Sequence, residues 1–316
     1  MAAFIIRRFF SMLAVLWCVV TITFFLIRAA PGSPFARERK VSPQIEEALK
    51  QRVNLNGTLW EQYTTYLGVH RRPDGTFGGL LQGNLGISVK QRDRPVEALI
   101  SQCFPVSALL GGTALVLATV VGVWLGCVAA VRQQSWVDFN SMLGALFLIS
   151  IPTFVTGPLL VLIFALWLGW LPVGGWGSPT SLILPAITLA GPYIAYVARL
   201  MRSSMLETLG SDFVRTARAK GLSEQKAIYK HTVKVAILPV VSFIGPLAAN
   251  LVTGSIVVET IFNIPGMGPF FVTSILTRDV FLLCGVVIVY CTLLVVMNLL
   301  VDLAYSALDP RIRLYD

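Results

Sequence analysis

From Phe139 to Ala198 the chain carries no Asp, Glu, Lys, Arg or His. About 20 apolar residues suffice for a helix to cross a hydrocarbon core about 30 Å thick, so one helix cannot use that whole length. The run Leu171-Pro-Val-Gly-Gly-Trp-Gly-Ser-Pro179 breaks it and predicts two spans, 139–170 and 181–200. Only 13% of all residues are charged, against about 25% in a soluble domain. The same criterion places a first span within 1–29, a second at 104–131, a fifth at 235–258 and a sixth at 280–302. The chain therefore reads as an all-α polytopic membrane protein with six transmembrane helices.

The first apolar run, Phe9 to Ile27, follows Arg7 and Arg8 and precedes small residues from Ala29 to Ser33. It is too long for a secretory signal, and Arg28 separates it from the small residues, so it reads as a retained anchor. Residues 30–103 form a polar lobe with short helices. Ser42-Pro43 offers a cap with proline at the first helical position, and Thr58-Leu-Trp-Glu61 is a capping box closed by Gly68. Residues 259–279 hold a Pro-Gly-Met-Gly-Pro core that no straight span accommodates, which predicts a turn and an amphipathic helix at the outer surface. Residues 306–316 are a short tail.

Arg7, Arg8, Arg132, Arg311, Arg313 and the basic residues of 199–234 fall on one side of these spans. By the positive-inside rule that side is cytoplasmic, giving an N-in, C-in topology with the 30–103 lobe outside. The net charge of +9 resides mainly in such flanking positions, so it argues for membrane orientation and not for nucleic acid. The five cysteines lie in or beside apolar runs with no C-x-x-C, as small buried hydrophobes do. Two histidines, His70 and His231, give a metal site little to work with.

No phosphate-cradling G-x-x-x-x-G-K-[ST], no H-E-x-x-H and no G-x-S-x-G occurs, so neither ATPase nor hydrolase chemistry is expected of this chain. The expected spans hold no ionisable side chain in their interiors, which argues against a proton- or sodium-driven carrier. Uphill transport would then need energy delivered by another chain.

The segment that could receive it is 199–234. It holds Arg199, Arg202, Arg215, Arg218, Lys220, Lys226, Lys230 and Lys234 against Glu207, Asp212 and Glu224. A plain solvated positive-inside loop and a docking handle both fit that composition. Its length favours docking, since a connector usually takes about 2–8 residues. Gly210 can end the fourth helix and Ser211 cap the next, over Asp212–Lys220, with Phe213 and Ala217 on one face. Gly221 permits a sharp break, and Ser223-Glu224 opens a second helix striped by Ala227, Ile228 and Val233.

Arg215-Thr-Ala-Arg-Ala-Lys-Gly-Leu222, followed by Leu238-Pro239, resembles the EAA loop of ABC importer permeases. Arg215 replaces the leading glutamate of the general motif, Thr216 differs at the second position, and the Leu-Pro lies farther on than in sugar permeases. Those departures are usual in the oligopeptide, dipeptide and nickel branch. Pro31-Gly-Ser-Pro-Phe35, Gly83-Asn-Leu-Gly-Ile-Ser88 and Glu259-Thr-Ile-Phe-Asn-Ile-Pro-Gly-Met-Gly268 extend the similarity along the chain, above all to B-type subunits of oligopeptide permeases.

The resemblance implies the type I ABC importer fold, with a type-1 transmembrane domain over 97–305, in a bacterial inner membrane. It implies a C-type permease partner, two cytoplasmic ATPases that bind ATP and magnesium, and a periplasmic peptide-binding protein. This chain would bind no cofactor. The coupling helix would comprise Arg215, Thr216, Ala217, Arg218, Ala219, Lys220, Gly221, Leu222, Ser223 and Glu224. Pro152, Pro158, Pro192 and Pro246 are ordinary membrane-helix prolines on one reading and pathway-shaping bends on the other. Asn250 and Thr253 could meet the passing solute or bond between helices. Dipeptides, glutathione or nickel are alternative cargoes. A partner-independent carrier or channel is the alternative from another class.

Overall fold

The computed structural model describes residues 2–29, 57–70, 78–88, 91 and 94–308. Among these the secondary structure is helical apart from one isolated bridge between Ile87 and Pro95. In chain order the helices are α1 (Ala2–Ala29), α2 (Leu59–Leu67), α3 (Val96–Val131), α4 (Trp136–Ser150) and α5 (Thr153–Leu160). They continue with α6 (Ile183–Leu209), α7 (Asp212–Ala219), α8 (Glu224–Lys226), α9 (Val233–Ala236) and α10 (Leu238–Val252). The last three are α11 (Ile256–Ile261), α12 (Met267–Thr277) and α13 (Val280–Leu308). π-helical turns at Val161–Trp167 and Ala227–Thr232 extend α5 and link α8 to α9. Among the described residues five helical stretches are long and apolar enough to span a membrane, and six if α4 and the α5 stretch count as one bent span.

That bend is 105°, so 139–170 is not one straight helix. Its cause is local. Pro152 pushes the preceding residue out of helical space, and Ile151 is accordingly extended (φ −92°, ψ 118°). Pro192 and Pro246, by contrast, sit inside α6 and α10 without breaking them.

The chain divides into two compact units. One comprises Met1–Ile5, Ser107–Pro265 and Leu293–Asp316, and α6 is its centre. Along α6, Leu184, Ala190, Ala195, Val197, Ala198, Met201 and Met205 are buried. Small residues let α3 come close: a β-carbon on Gly126 would stand 2.5 Å from the Ala198 carbonyl oxygen, and one on Gly122 2.6 Å from the Val197 side chain. The G-x-x-x-G pattern thus works here as a backbone contact. α4 and α5 pack on α6 from another side.

The other unit comprises Ile6–Val106 and Gly266–Thr292. Thr58 and Glu61 form the expected capping box of α2, and Gly68 ends it in the left-handed conformation at φ +86°. Phe24 of α1 stacks on Tyr66 of α2 with ring centres 5.6 Å apart. A second cluster joins Val96, Leu99 and Cys103 of α3 to Met267, Leu282 and Val286. The Gly83–Ser88 motif ends on a buried hydrogen bond, Ser88 Oγ donating to Asp279 Oδ2 at 2.5 Å. Asp279 in turn accepts from the Leu282 N–H at the start of α13. The Ser42-Pro43 cap lies outside the described residues.

Candidate functional site

The basic segment between α6 and α10 folds as a compact knob. α7 is stopped by Gly221 at φ +81°, where an added β-carbon would meet nothing within 4 Å. Glycine is therefore needed for its backbone conformation and not for space. Lys220 N–H donates to the Thr216 carbonyl at 3.0 Å and Gly221 N–H to that of Arg218 at 2.9 Å, so the end of α7 is satisfied. Leu222 N–H donates back to the Ala217 carbonyl at 3.3 Å. Ser223 then starts α8 in extended conformation, without a side-chain cap. Ser211 precedes α7, but its hydroxyl donates backwards to the Thr208 carbonyl at 2.5 Å and does not cap the helix.

An ion pair closes the turn around Gly221. Arg218 reaches across to Glu224, Nε to Oε2 at 3.0 Å and a terminal nitrogen to Oε1 at 2.6 Å. The bidentate geometry fixes the two arms more firmly than a single contact would. α7 packs on the π-helical turn, which packs on α6. Val214 and Ala217 are buried on α7, as are Ala227 and Ile228 on the π turn. The face expected to hold Phe213 is thus turned by one residue: Val214 goes inward and Phe213 stays 44% exposed. Thr232 donates its hydroxyl to the Ala227 carbonyl at 3.1 Å, filling the wide π turn.

What remains outside is a mixed surface. Asp212, Phe213, Arg215, Thr216, Arg218, Ala219, Lys220, Gly221, Ser223 and Glu224 are exposed, and Leu222 is half-buried. Arg215 pairs with Asp212 at only 3.7 Å, with both side chains largely in solvent, an interaction of little energetic weight. Arg215 and Lys220 are thus available to a partner.

The pathway candidates separate. Asn250 donates from Nδ2 to the Tyr193 hydroxyl at 3.0 Å, joining the exposed faces of α10 and α6. Thr253 bonds within its own helix, to the carbonyls of Ala249 at 2.9 Å and Asn250 at 3.1 Å. Pro246 is exposed on α10, and Pro192 is half-buried on α6.

Residues 122–314 match the family model described as a binding-protein-dependent transport system inner membrane component. Residues 1–111 match the N-terminal model of the same systems. The chain belongs to this family. It is an ABC importer permease of the multi-pass inner-membrane kind, with the type I fold. It is 42% identical, over 99% of this chain and all of the relative, to the oligopeptide transport system permease protein OppB of Haemophilus influenzae. Identity to OppB of Escherichia coli K12 is also 42%, over the same shares. The dipeptide transport system permease protein DppB of Bacillus subtilis is 41% identical, over all of this chain and 99% of the relative. A solved amino acid ABC transporter aligns with a TM-score of 0.48 and 16% identity, covering 68% of this chain and 95% of that one.

Two polar contacts in the permease were not legible in its sequence. Asp138, at the start of α4, pairs with Arg202 of α6. Glu259 was expected in an outer turn, yet it lies on α11, in the helical stretch that continues the fifth span to Ile261. Its side chain is fully buried and accepts a hydrogen bond from Ser107 of α3 at 2.7 Å. The spans are therefore not free of ionisable groups, though this one is held by a hydroxyl inside the protein. The Glu259–Phe262 stretch also holds the loop after the third span, as Gly175 N–H donates to the Phe262 carbonyl at 2.7 Å. Neither contact announces itself in one dimension, because Ser107 and Glu259 lie far apart in the chain and serine is common in membrane helices.

Proposed function

We propose that this permease forms half of the translocation pathway of an ATP-driven importer of oligopeptides, and that Arg215–Glu224 is the helix through which an ATPase drives it. A C-type permease supplies the other half, two cytoplasmic ATPases bind and hydrolyse ATP with magnesium, and a periplasmic peptide-binding protein delivers the cargo. The observation that carries the reading is the knob: a compact, ion-paired projection with an exposed face, seated through buried side chains on α6. A rigid body of this kind can transmit displacement, as a floppy loop cannot. ATP would draw the two ATPases together, each carrying its coupling helix. α6 would then convey the motion along the membrane and open the cavity to the delivered peptide.

The cargo class follows from relatives named as oligopeptide and dipeptide permeases over their full length. Dipeptides are the second reading, favoured by the 41% identity to DppB. Two variants test the coupling. Gly221→Pro forces φ to about −65° where the turn needs a positive value, and Ala217→Arg puts a charge into the buried face of α7. Both proteins should insert and assemble with the second permease while losing ATP-dependent peptide uptake in vesicles holding the binding protein. Uptake at the unmodified level in both would contradict the docking role.

A further inference from the structure

A cleft of about 400 Å³ opens between α6 and α10, lined by Tyr196, Arg199, Leu200, Ser203 and Phe243. Its walls are mainly apolar. Tyr196 and Phe243 face each other with ring centres 6.5 Å apart. Arg199 is the only charged residue of the lining. Three residues further along α6, Arg202 is engaged by Asp138 through two hydrogen bonds. Arg199 has no such partner: its side chain makes no ion pair among the described residues, and it is exposed.

The cleft has a polar continuation along the same two helices. On α10, Phe243, Pro246 and Asn250 recur at helical spacing and share a face. Tyr193 and Tyr196 stand in the matching place on α6, and Asn250 is bonded to Tyr193. By the positive-inside reading Arg199 stands at the cytoplasmic end of the fourth span, where its exposed guanidinium, without an ion pair among the described residues, is open to an anionic ligand. A guanidinium binds a carboxylate through two parallel hydrogen bonds. An apolar slot with one such group at its edge fits a short chain that is apolar along its length and anionic at one end.

We propose that this cleft is a transit site for the peptide, in which Arg199 binds the terminal carboxylate while Tyr196 and Phe243 hold the adjoining residues. The inference rests on the peptide-importer reading above. It adds a recognition step inside the permease to any selection made by the binding protein.

The test uses the complete assembly in vesicles, with ATP and binding protein, and two cargoes: one peptide with a free C-terminal carboxylate and its C-terminal amide. Arg199→Met should lower uptake of the free peptide about tenfold relative to the unmodified assembly, the scale of losing a hydrogen bond to a charged group. It should change uptake of the amide less than about twofold, within the range of weak exposed contacts. Arg199→Lys should restore part of the loss, because lysine keeps the charge without the fork. A photoreactive benzoyl-phenylalanine in place of Tyr196 should label the free peptide during turnover. Equal loss for both cargoes, or none for either, would overturn the proposal. So would labelling of the partner permease with no labelling of peptide, which would make the cleft a subunit contact. Failure of the unmodified assembly to take up either peptide would instead count against the importer reading itself.

Discussion

Arg202 grips Asp138 with both arms of its guanidinium, Nε to Oδ1 at 2.6 Å and a terminal nitrogen to Oδ2 at 2.7 Å. The pair ties α6, which bears the knob, to the start of α4. Asp138 also accepts from the Gln134 N–H at 3.0 Å, so the turn before α4 is organised by the same carboxylate. Asp138 is 8% exposed in its side chain and Arg202 27%. Removing the carboxylate leaves a part-buried guanidinium without its partner. Asp138→Ala should therefore destabilise the permease in detergent by about 3 kcal/mol, the lower end for a broken buried pair. Arg202→Lys should cost less, because one ammonium replaces one of the two bonds. Thermal unfolding checks the order, and an Asp138→Ala protein as stable as the unmodified one would show the pair to be incidental.

Gly221 offers a finer test of the knob than proline does. The site is sterically open, so the cost of a side chain there is purely that of the left-handed backbone, about 1–2 kcal/mol for most residues and less for asparagine. Uptake should fall in the order glycine, asparagine, alanine, valine. Measured transport at constant protein level decides it, and indifference to the residue at 221 would mean that the turn is not required.

Two glycines on α3 should behave oppositely. At Gly126 a β-carbon would lie 2.5 Å from the Ala198 carbonyl, whereas at Gly112 it would meet nothing within 4 Å. Gly126→Ala should lower stability by about 1–3 kcal/mol, as overpacking does. Gly112→Ala should be neutral or raise it by up to about 1 kcal/mol through helix propensity. Unfolding temperatures of the two variants, compared side by side, test the α3–α6 contact.

The buried Ser107–Glu259 bond makes a further prediction. Glu259→Gln keeps the shape and an acceptor for the Ser107 hydroxyl and should be tolerated. Glu259→Leu leaves that hydroxyl to lose this acceptor and should cost about 1–3 kcal/mol. Ser107→Ala removes the donor and should be destabilising to a similar degree. Thermal stability of the three variants gives the order.

Much of the permease was legible in its residues because the signals are local. Apolar length marked the spans, the Thr58–Glu61 box and Gly68 bounded α2, and Gly221 marked the turn of the knob. What escaped was set by contacts distant in sequence. A charge-free run said nothing of the 105° bend inside 139–170, although Pro152 after a residue it forces to extend is its cause. The i, i+4 spacing groups Phe213 with Ala217 on one face of α7. Packing chose Val214, which shares the buried face with Ala217 at the i, i+3 spacing. Glu259 reads as a solvent-side acid beside Pro265 and Gly266, and only the fold reveals its burial against Ser107.

Disulfide trapping reads directly where the ATPase touches this chain. In the complete assembly, single cysteines at Arg215, Ala219 or Lys220, each paired with cysteines along the ATPase surface, should cross-link to the ATPase, and the yield should change on ATP addition. Cross-links that form only from cysteines elsewhere on the permease, with 215–220 remaining open to a water-soluble thiol reagent in the assembled complex, would contradict the docking role.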